Sequence, residues 1–519
     1  MLKLLTKISP VKLLQYTENF LLSDYNRTKK FLTSVNPEAL EEISKKKALA
    51  IFKNTVKSTP AYQKFLSKNK TNIKLIKNIK YFDLFVPETD KDNYIKKYPL
   101  EHRCQYGKLP KTGNVDESGG TSGIATNWIH DIHEEDPLFK GISFEFNYAF
   151  EGYKKDFFVI SAWSVGPWAT GIKFSALMEK LALVKNTATD PDDVVRTLKM
   201  FGNKKNYLIG GYPPFVKNLI EENSKKIKWK NYKIDLVIGG EGVTVEWVKY
   251  MKKKLRPGSK IVSSYGASDI DIGVGFETPF CFFIRELISK NKTFRNQLIG
   301  KEEVPMIFQY NPTLHYIKNK VSSKGKGEFQ ITLLDDNTVS PKVKYNIHDE
   351  GKKLTFNEMM GELNTNLKNP LNKFKTSGGK IEDILNLPFL LIFGRTDGTL
   401  SFDGANVFPL QIEKGILRNK ELVKKTKRFK IEKKHDKKHN VQFHVHIELK
   451  ENHKTHPKLK TKYYNNILNE LLESNPDFKE SYSKNKKLKP IINIYKYSHP
   501  LFEIDKHKVK NIYIVKKGK

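Results

Sequence analysis

Four apolar runs of strand length, separated by stretches of helical length, fill residues 157 to 265. They are FFVISAW (157–163), NYLIGG (206–211), KIDLVIGG (233–240) and KIVSSY (260–265). Near-continuous hydrophobic runs mark strands buried on both faces, and strands alternating with helices build parallel, doubly wound sheets. The helices between them carry their own boundary signals. Asp190 stands before Pro191 and two further acids, as an N-cap with proline at the first helical position, and Gly202 ends that helix after Phe201. A second helix lies near Phe215–Glu222, and Thr244 caps a third to about Leu255. Right-handed crossovers place the carboxyl ends of all four strands on one edge of the sheet. The loops 164–171, 211–214, 239–242 and 265–269 converge on that edge, where open α/β sheets bind their ligands.

The flanking segments differ from this pattern. Residues 1–90 have Leu, Phe and Tyr spaced three and four apart and no alternation, which predicts a mainly helical region packed on a large α/β domain of residues 91–396. Beyond residue 396, QFHVHIEL (442–449) alternates, YYNNILNELL (463–472) has helical spacing and KPIINIYKY (489–497) reads as a strand. Residues 397–519 are therefore expected to form a small α+β domain, with the glycines of GRTDGTLSFDG (394–404) as the hinge. No stretch approaches the ~20 uncharged apolar residues of a membrane span. Two cysteines, Cys104 and Cys281, cannot build a disulfide framework, which points to a cytoplasmic protein.

The net charge of +35 comes from lysine, with 83 lysines against nine arginines. Nucleic-acid readers favour arginine for bidentate contacts, so the excess reads as solvated, solubilising charge, densest at Lys424–Lys438. A polyanion-binding protein remains the remote alternative, and an acidic partner protein would be drawn by the same field.

Four segments carry chemistry. In Ser118-Gly119-Gly120-Thr121-Ser122-Gly123, glycines allow close approach to phosphates and the hydroxyls can donate to them. No G-K-[ST] follows, so it is not a Walker loop. Gly239-Gly240-Glu241-Gly242 and Tyr265-Gly266-Ala267-Ser268-Asp269 end adjacent strands. An aromatic there can stack on a purine, and a carboxylate can hold Mg²⁺ through oxygen; equally, Tyr265 could be core and Asp269 a helix cap. Asp349 of YNIHDEG suits the paired hydroxyls of a ribose, and Arg395 of GRTDG could reach the same nucleotide.

In their order, these segments resemble the motifs of the adenylate-forming (acyl-AMP) enzymes, and most closely the phenylacetate–CoA ligase-like branch. YGASD stands where that superfamily has Tyr-Gly-x-Thr-Glu, YNIHDEG stands for Tyr-Arg-Thr-Gly-Asp-Leu-Gly, and GRTDG…GANVFPLQIE (394–413) is similar to the branch's most specific motif. The resemblance runs from about residue 50 to the C-terminus, and the first ~45 residues match nothing recognised. It implies ATP-dependent formation of an acyl-AMP, then acyl transfer to CoA, or alternatively to a carrier-protein phosphopantetheine or an amine. It implies a mobile C-terminal domain turning at Asp397, a catalytic lysine at Lys506 with Lys508 and Lys510 as rivals, and catalytic contacts from Thr121 and Arg395. Departures are Ile-Ala-Thr after Gly123 in place of Pro and Lys, Asp269 for the usual Glu, and a faint C-terminal lysine motif.

Trp163, Ser164, Trp168, Tyr212, Pro213 and Phe276 belong to loops expected to line an acid pocket, and their aromatics suggest an aryl or other apolar acid. His444, His446 and Glu448 share one strand face, read as a solvated polar face rather than a zinc site. Cys104 has no evident histidine partner and is not offered as a nucleophile.

Overall fold

The computed structural model of the chain describes residues 11–118, 126–163, 165, 169–240, 242–300, 304–321, 327–395, 400–402, 405–407, 409–435, 441–475, 478–479, 482 and 486–502. Strands β1 (Gly113–Ser118) and β2 (Thr126–Asp131) pair antiparallel. Eleven strands then share one sheet: β3 (Phe157–Ala162), β4 (Leu183–Asn186), β5 (Asn206–Gly211), β6 (Lys233–Gly239), β7 (Ile261–Ala267), β8 (Asp271–Phe276), β9 (Met306–Tyr310), β10 (His315–Val321), β11 (Gly327–Leu333), β12 (Tyr345–Leu354) and β13 (Phe389–Arg395). Their spatial order is β10-β11-β12-β13-β9-β8-β7-β6-β5-β3-β4.

From β4 through β3, β5 and β6 to β7 the neighbours run parallel. Every residue of β3 is buried, as a strand covered on both faces requires. The crossover helices have the expected caps. Asp190 accepts from the backbone N–H groups of Asp192 and Asp193, Gly202 closes that helix at φ 73°, and the Thr244 side chain accepts from Trp247 N–H. From β7 to β10 the pairings are antiparallel, a half the sequence pattern did not resolve. The helices Pro37–Ser58 and Pro60–Lys68 pack Phe52, Tyr62 and Phe65 into a core shared with Tyr310, Phe329 and Tyr345 of that antiparallel half.

The C-terminal residues have a core of their own. β16 (Thr426–His435), β17 (Val441–Leu449) and β18 (Pro490–Tyr495) form a three-stranded sheet after the short pair β14 (Leu400–Phe402) and β15 (Ala405–Val407). Phe429, Val445 and Ile447 bury against the helix Pro457–Ser474 through Tyr463 and Ile467. The opposite face of β17 corrects the sequence reading. His446 and Glu448 are buried, not solvated, because Tyr495 and the segment after it cover them. His446 bonds Glu432 at 2.8 Å and Tyr495 at 3.0 Å, Glu448 pairs with Arg428, and burial draws the imidazole down to about 4. Lys450, just past β17, reaches back to Glu221 of the helix Pro213–Glu222, which also accepts from the Tyr250 hydroxyl. Burial opposes charge on Glu221, but Lys217 and Lys450 outweigh it and hold the carboxyl below its ordinary range.

Both cysteines are buried, and burial pushes the Cys281 thiol up to about 12 and raises that of Cys104. The thiolate is the reactive form. Native protein should therefore leave both cysteines unmodified by a thiol-specific reagent at pH 8, with two equivalents reacting in denaturant. Rapid native labelling at either position would contradict the packing. Among the described residues no helix is long and apolar enough to cross a membrane.

Candidate active site

The carboxyl edge of the parallel strands brings together residues from distant parts of the chain. Tyr265 lies toward the end of β7 and nearly face-on to Phe308 of β9, with centroids 5.6 Å apart. Its hydroxyl donates to Asp349 Oδ2 at 2.7 Å. Asp349 is in turn the register partner of Arg395, so strand pairing alone sets those two backbones side by side. The residue before Asp349, His348, holds φ 63°, a conformation that costs a non-glycine residue of order 1 kcal/mol or more and clusters at functional sites.

Two glycines here have steric reasons. Gly240 adopts φ 77° as the chain leaves β6. At Gly266 a Cβ would come within 2.4 Å of the Asp271 and Ile272 backbone, because β7 turns straight into β8.

Asp269 sits in that tight turn, buried, and is not a helix cap. Its Oδ2 accepts from the Tyr345 hydroxyl at 3.0 Å and pairs with Lys91 Nζ at 3.1 Å. Tyr345 meets Trp128 of β2 edge-on at 6.1 Å, and the ammonium groups of Lys91 and Lys342 lie 5.7 and 5.1 Å from the Trp128 ring centroid. Burial, with Arg103 nearby, lowers Lys342 to about 8. Lys91, Trp128 and Lys342 carried no signal in the sequence, since only the fold gathers them around Tyr345 and Asp269. Tyr345 was visible as the first residue of the YNIHDEG motif.

The donor set does not make a resident metal site. Asp269 already has a cation and a hydroxyl on Oδ2, and no group of three or more His, Cys, Asp or Glu among the described residues could hold a metal ion.

Next to Tyr265, a cavity of about 90 Å³ opens among Gly240, Gly266, Trp163 and Tyr212. The Trp163 and Tyr212 rings meet edge-on at 5.0 Å. Phe276 is not part of this cavity. Its place in β8 turns it into a separate core, where it packs edge-on against Phe144 and Tyr148. Of the other expected site residues, Ser118 closes β1 opposite Thr126. Gly119, Gly120, Thr121, Ser122, Gly123, Ser164, Trp168, Glu241, Asp397, Lys506, Lys508 and Lys510 lie outside the described residues.

This architecture, a mixed α/β sheet with a small C-terminal sheet, is a fold also found among solved structures of CoA ligases. One such structure is that of 2-hydroxyisobutyryl-CoA ligase. Its structure in the postadenylation state with R3-HIB-AMP superposes with a TM-score of 0.63 at 12% identity, over 92% of this chain and 89% of that one. An open conformation of the same enzyme with 2-HIB-AMP and CoA superposes at 0.51, also at 12% identity, over 92% and 91%. No protein-family profile matches the chain, and no curated protein matches it by sequence.

Proposed function

We propose that the chain activates a small carboxylic acid as acyl-AMP, releasing pyrophosphate from ATP, and then passes the acyl group to the thiol of CoA. The observation that carries this reading is the meeting of Tyr265 and Asp349, beside the Arg395 backbone, at the edge of a fold shared with a CoA ligase. A carboxylate is a poor electrophile because its leaving group would be oxide. When its oxygen attacks the α-phosphorus of ATP, a new P–O bond forms, the bond to pyrophosphate breaks, and the acyl carbon gains a good leaving group, AMP.

The obstacle is the approach of an anion to a polyanion, so charge neutralisation and alignment supply most of the catalysis. Lys91 and Lys342, set around Trp128, raise the local positive potential. Tyr265 with Gly240, Glu241 and Gly266 would hold adenine, and Asp349 with Arg395 the ribose. Ser118 to Gly123, through Thr121 and Ser122, would steady the leaving pyrophosphate, and the Lys506 ammonium would bridge the carboxylate and the α-phosphate. Mg²⁺ belongs here as the counter-ion that ATP brings with it, because Asp269 is already paired.

For the second step, thiol attack on the acyl carbon expels AMP, and a turn of the C-terminal residues at Asp397 would clear Lys506 from the acceptor's path. The net charge of +35 favours one alternative acceptor, the phosphopantetheine thiol of an acidic carrier protein. Competition between CoA and a phosphopantetheinyl protein separates the two.

Acid-dependent exchange of pyrophosphate into ATP tests the first step. At least one small carboxylic acid should drive it, and silence across aliphatic, hydroxy, aryl and amino acids would overturn the reading. Tyr265→Phe removes one donor from a buried carboxylate, an interaction worth about 1.5–3 kcal/mol. The KM for ATP should rise about tenfold or more with the KM for the acid unchanged. An unaltered ATP dependence would remove Tyr265 and Asp349 from the nucleotide site.

A further inference from the structure

The cavity beside Tyr265 contains one group that the nucleotide reading leaves unused. Glu145 belongs to the helix Glu135–Phe150 and lines the cavity on the same helical face as Ile142, Phe146 and Ala149. Trp163, Phe174 and Met178 line the same cavity. No hydrogen bond or ion pair joins Glu145 to any other described residue. Burial, with the charge of another acid, Asp271, adding to it, pushes the carboxyl up to about 8.

A carboxyl group on an apolar wall is costly unless something hydrogen-bonds to it. Protonated, it offers one O–H donor and one carbonyl acceptor. A hydroxyl offers one donor and one acceptor in return, whereas an ammonium would require the charged form that Asp271 and the apolar wall disfavour. The space is also small. An apolar cavity of roughly 150 Å³ holds benzene, and this one is about 90 Å³.

Resting on the adenylation reading above, we infer that Glu145 is the specificity-determining residue of the acyl pocket and selects a small, otherwise apolar carboxylic acid bearing a hydroxyl group. The carboxylate end of that acid points toward Gly240 and Gly266, which line the same cavity at the sheet edge. An acid lacking the hydroxyl leaves Glu145 unsatisfied, and sites built to bond a hydroxyl reject such analogues strongly.

The test uses matched pairs of small acids, with and without a hydroxyl, in two measurements on the full chain. One is pyrophosphate exchange, and the other is equilibrium binding of the acids in the absence of nucleotide. Wild type should prefer the hydroxy acid by about tenfold or more in kcat/KM. Glu145→Gln, which can still donate and accept, should keep most of that preference. Glu145→Leu should reverse it through KM and melt no lower than wild type, since it removes an unpartnered carboxyl. Hydroxyl-selective binding that Glu145→Leu abolishes, without exchange for any acid, would reject the adenylation reading and uphold the pocket assignment. Equal ratios in wild type and Glu145→Leu in both measurements would overturn the assignment.

Discussion

Lys506→Ala is expected to cut acid-dependent pyrophosphate exchange by about 10²–10³-fold, the loss that follows removal of one preorganised stabiliser of developing charge. The same variant should convert externally supplied acyl-AMP and CoA to thioester at a rate close to wild type. That split follows from the chemistry. Only the first step brings a carboxylate to a phosphate and needs a cation between them, whereas the second attacks a neutral acyl carbon whose leaving group is already in place. Lys508→Ala and Lys510→Ala are the controls, because all three lysines belong to the same short stretch, DKHKVK. Full exchange activity in Lys506→Ala with loss in either neighbour would move the role to that neighbour. Equal loss in both half-reactions would mean that the residue supports structure rather than the adenylation step.

The largest expected loss of stability lies at Arg285→Met. Arg285 is 1% exposed, and its guanidinium pairs with Glu277, itself buried, and donates to the Val243 carbonyl. Removing one member of a buried pair costs about 3–5 kcal/mol because the other charge is left without compensation, out of a total of about 5–15 kcal/mol for a folded domain. The melting temperature should fall on the order of 10 °C. Adding Glu277→Leu should recover much of the loss, since replacing both partners by apolar groups is far cheaper than orphaning one. A single variant that melts like wild type would show that water reaches this pair. Val243 directly follows the Gly239–Gly242 loop, so the site's glycine wall is held by the same interaction.

What could be read from sequence follows the range of the interactions concerned. The strands of the parallel half announced themselves because β3, β5 and β6 are local apolar runs, and their helices were marked by Asp190, Gly202 and Thr244, caps that act within four residues. Tyr265, Asp349 and Arg395 could be picked out as candidates because each lies in a short motif, but their adjacency depends on strand order, which no local pattern encodes. The Lys91–Asp269 pair and Glu145 were invisible for the same reason. Glu145 looks like any polar position on an amphipathic helix until the fold puts Trp163 and Phe174 in the same cavity. The misreading of His446 and Glu448 had another cause. Alternation on β17 correctly separated two faces, but a polar face is solvated only if nothing packs on it, and Tyr495 does. Phe276 failed likewise, since loop proximity in sequence does not decide toward which core a β8 side chain turns.

Glu221 joins the two halves of the molecule through Lys450, and it does so where Lys217 and Tyr250 already compete for the same carboxylate. If the C-terminal residues swing between the two steps, this contact must part first, and Glu221 would keep two partners while Lys450 went back to water. The swing would then be governed by an asymmetric electrostatic catch, easily released from one side, whose grip weakens as ions are added to the medium.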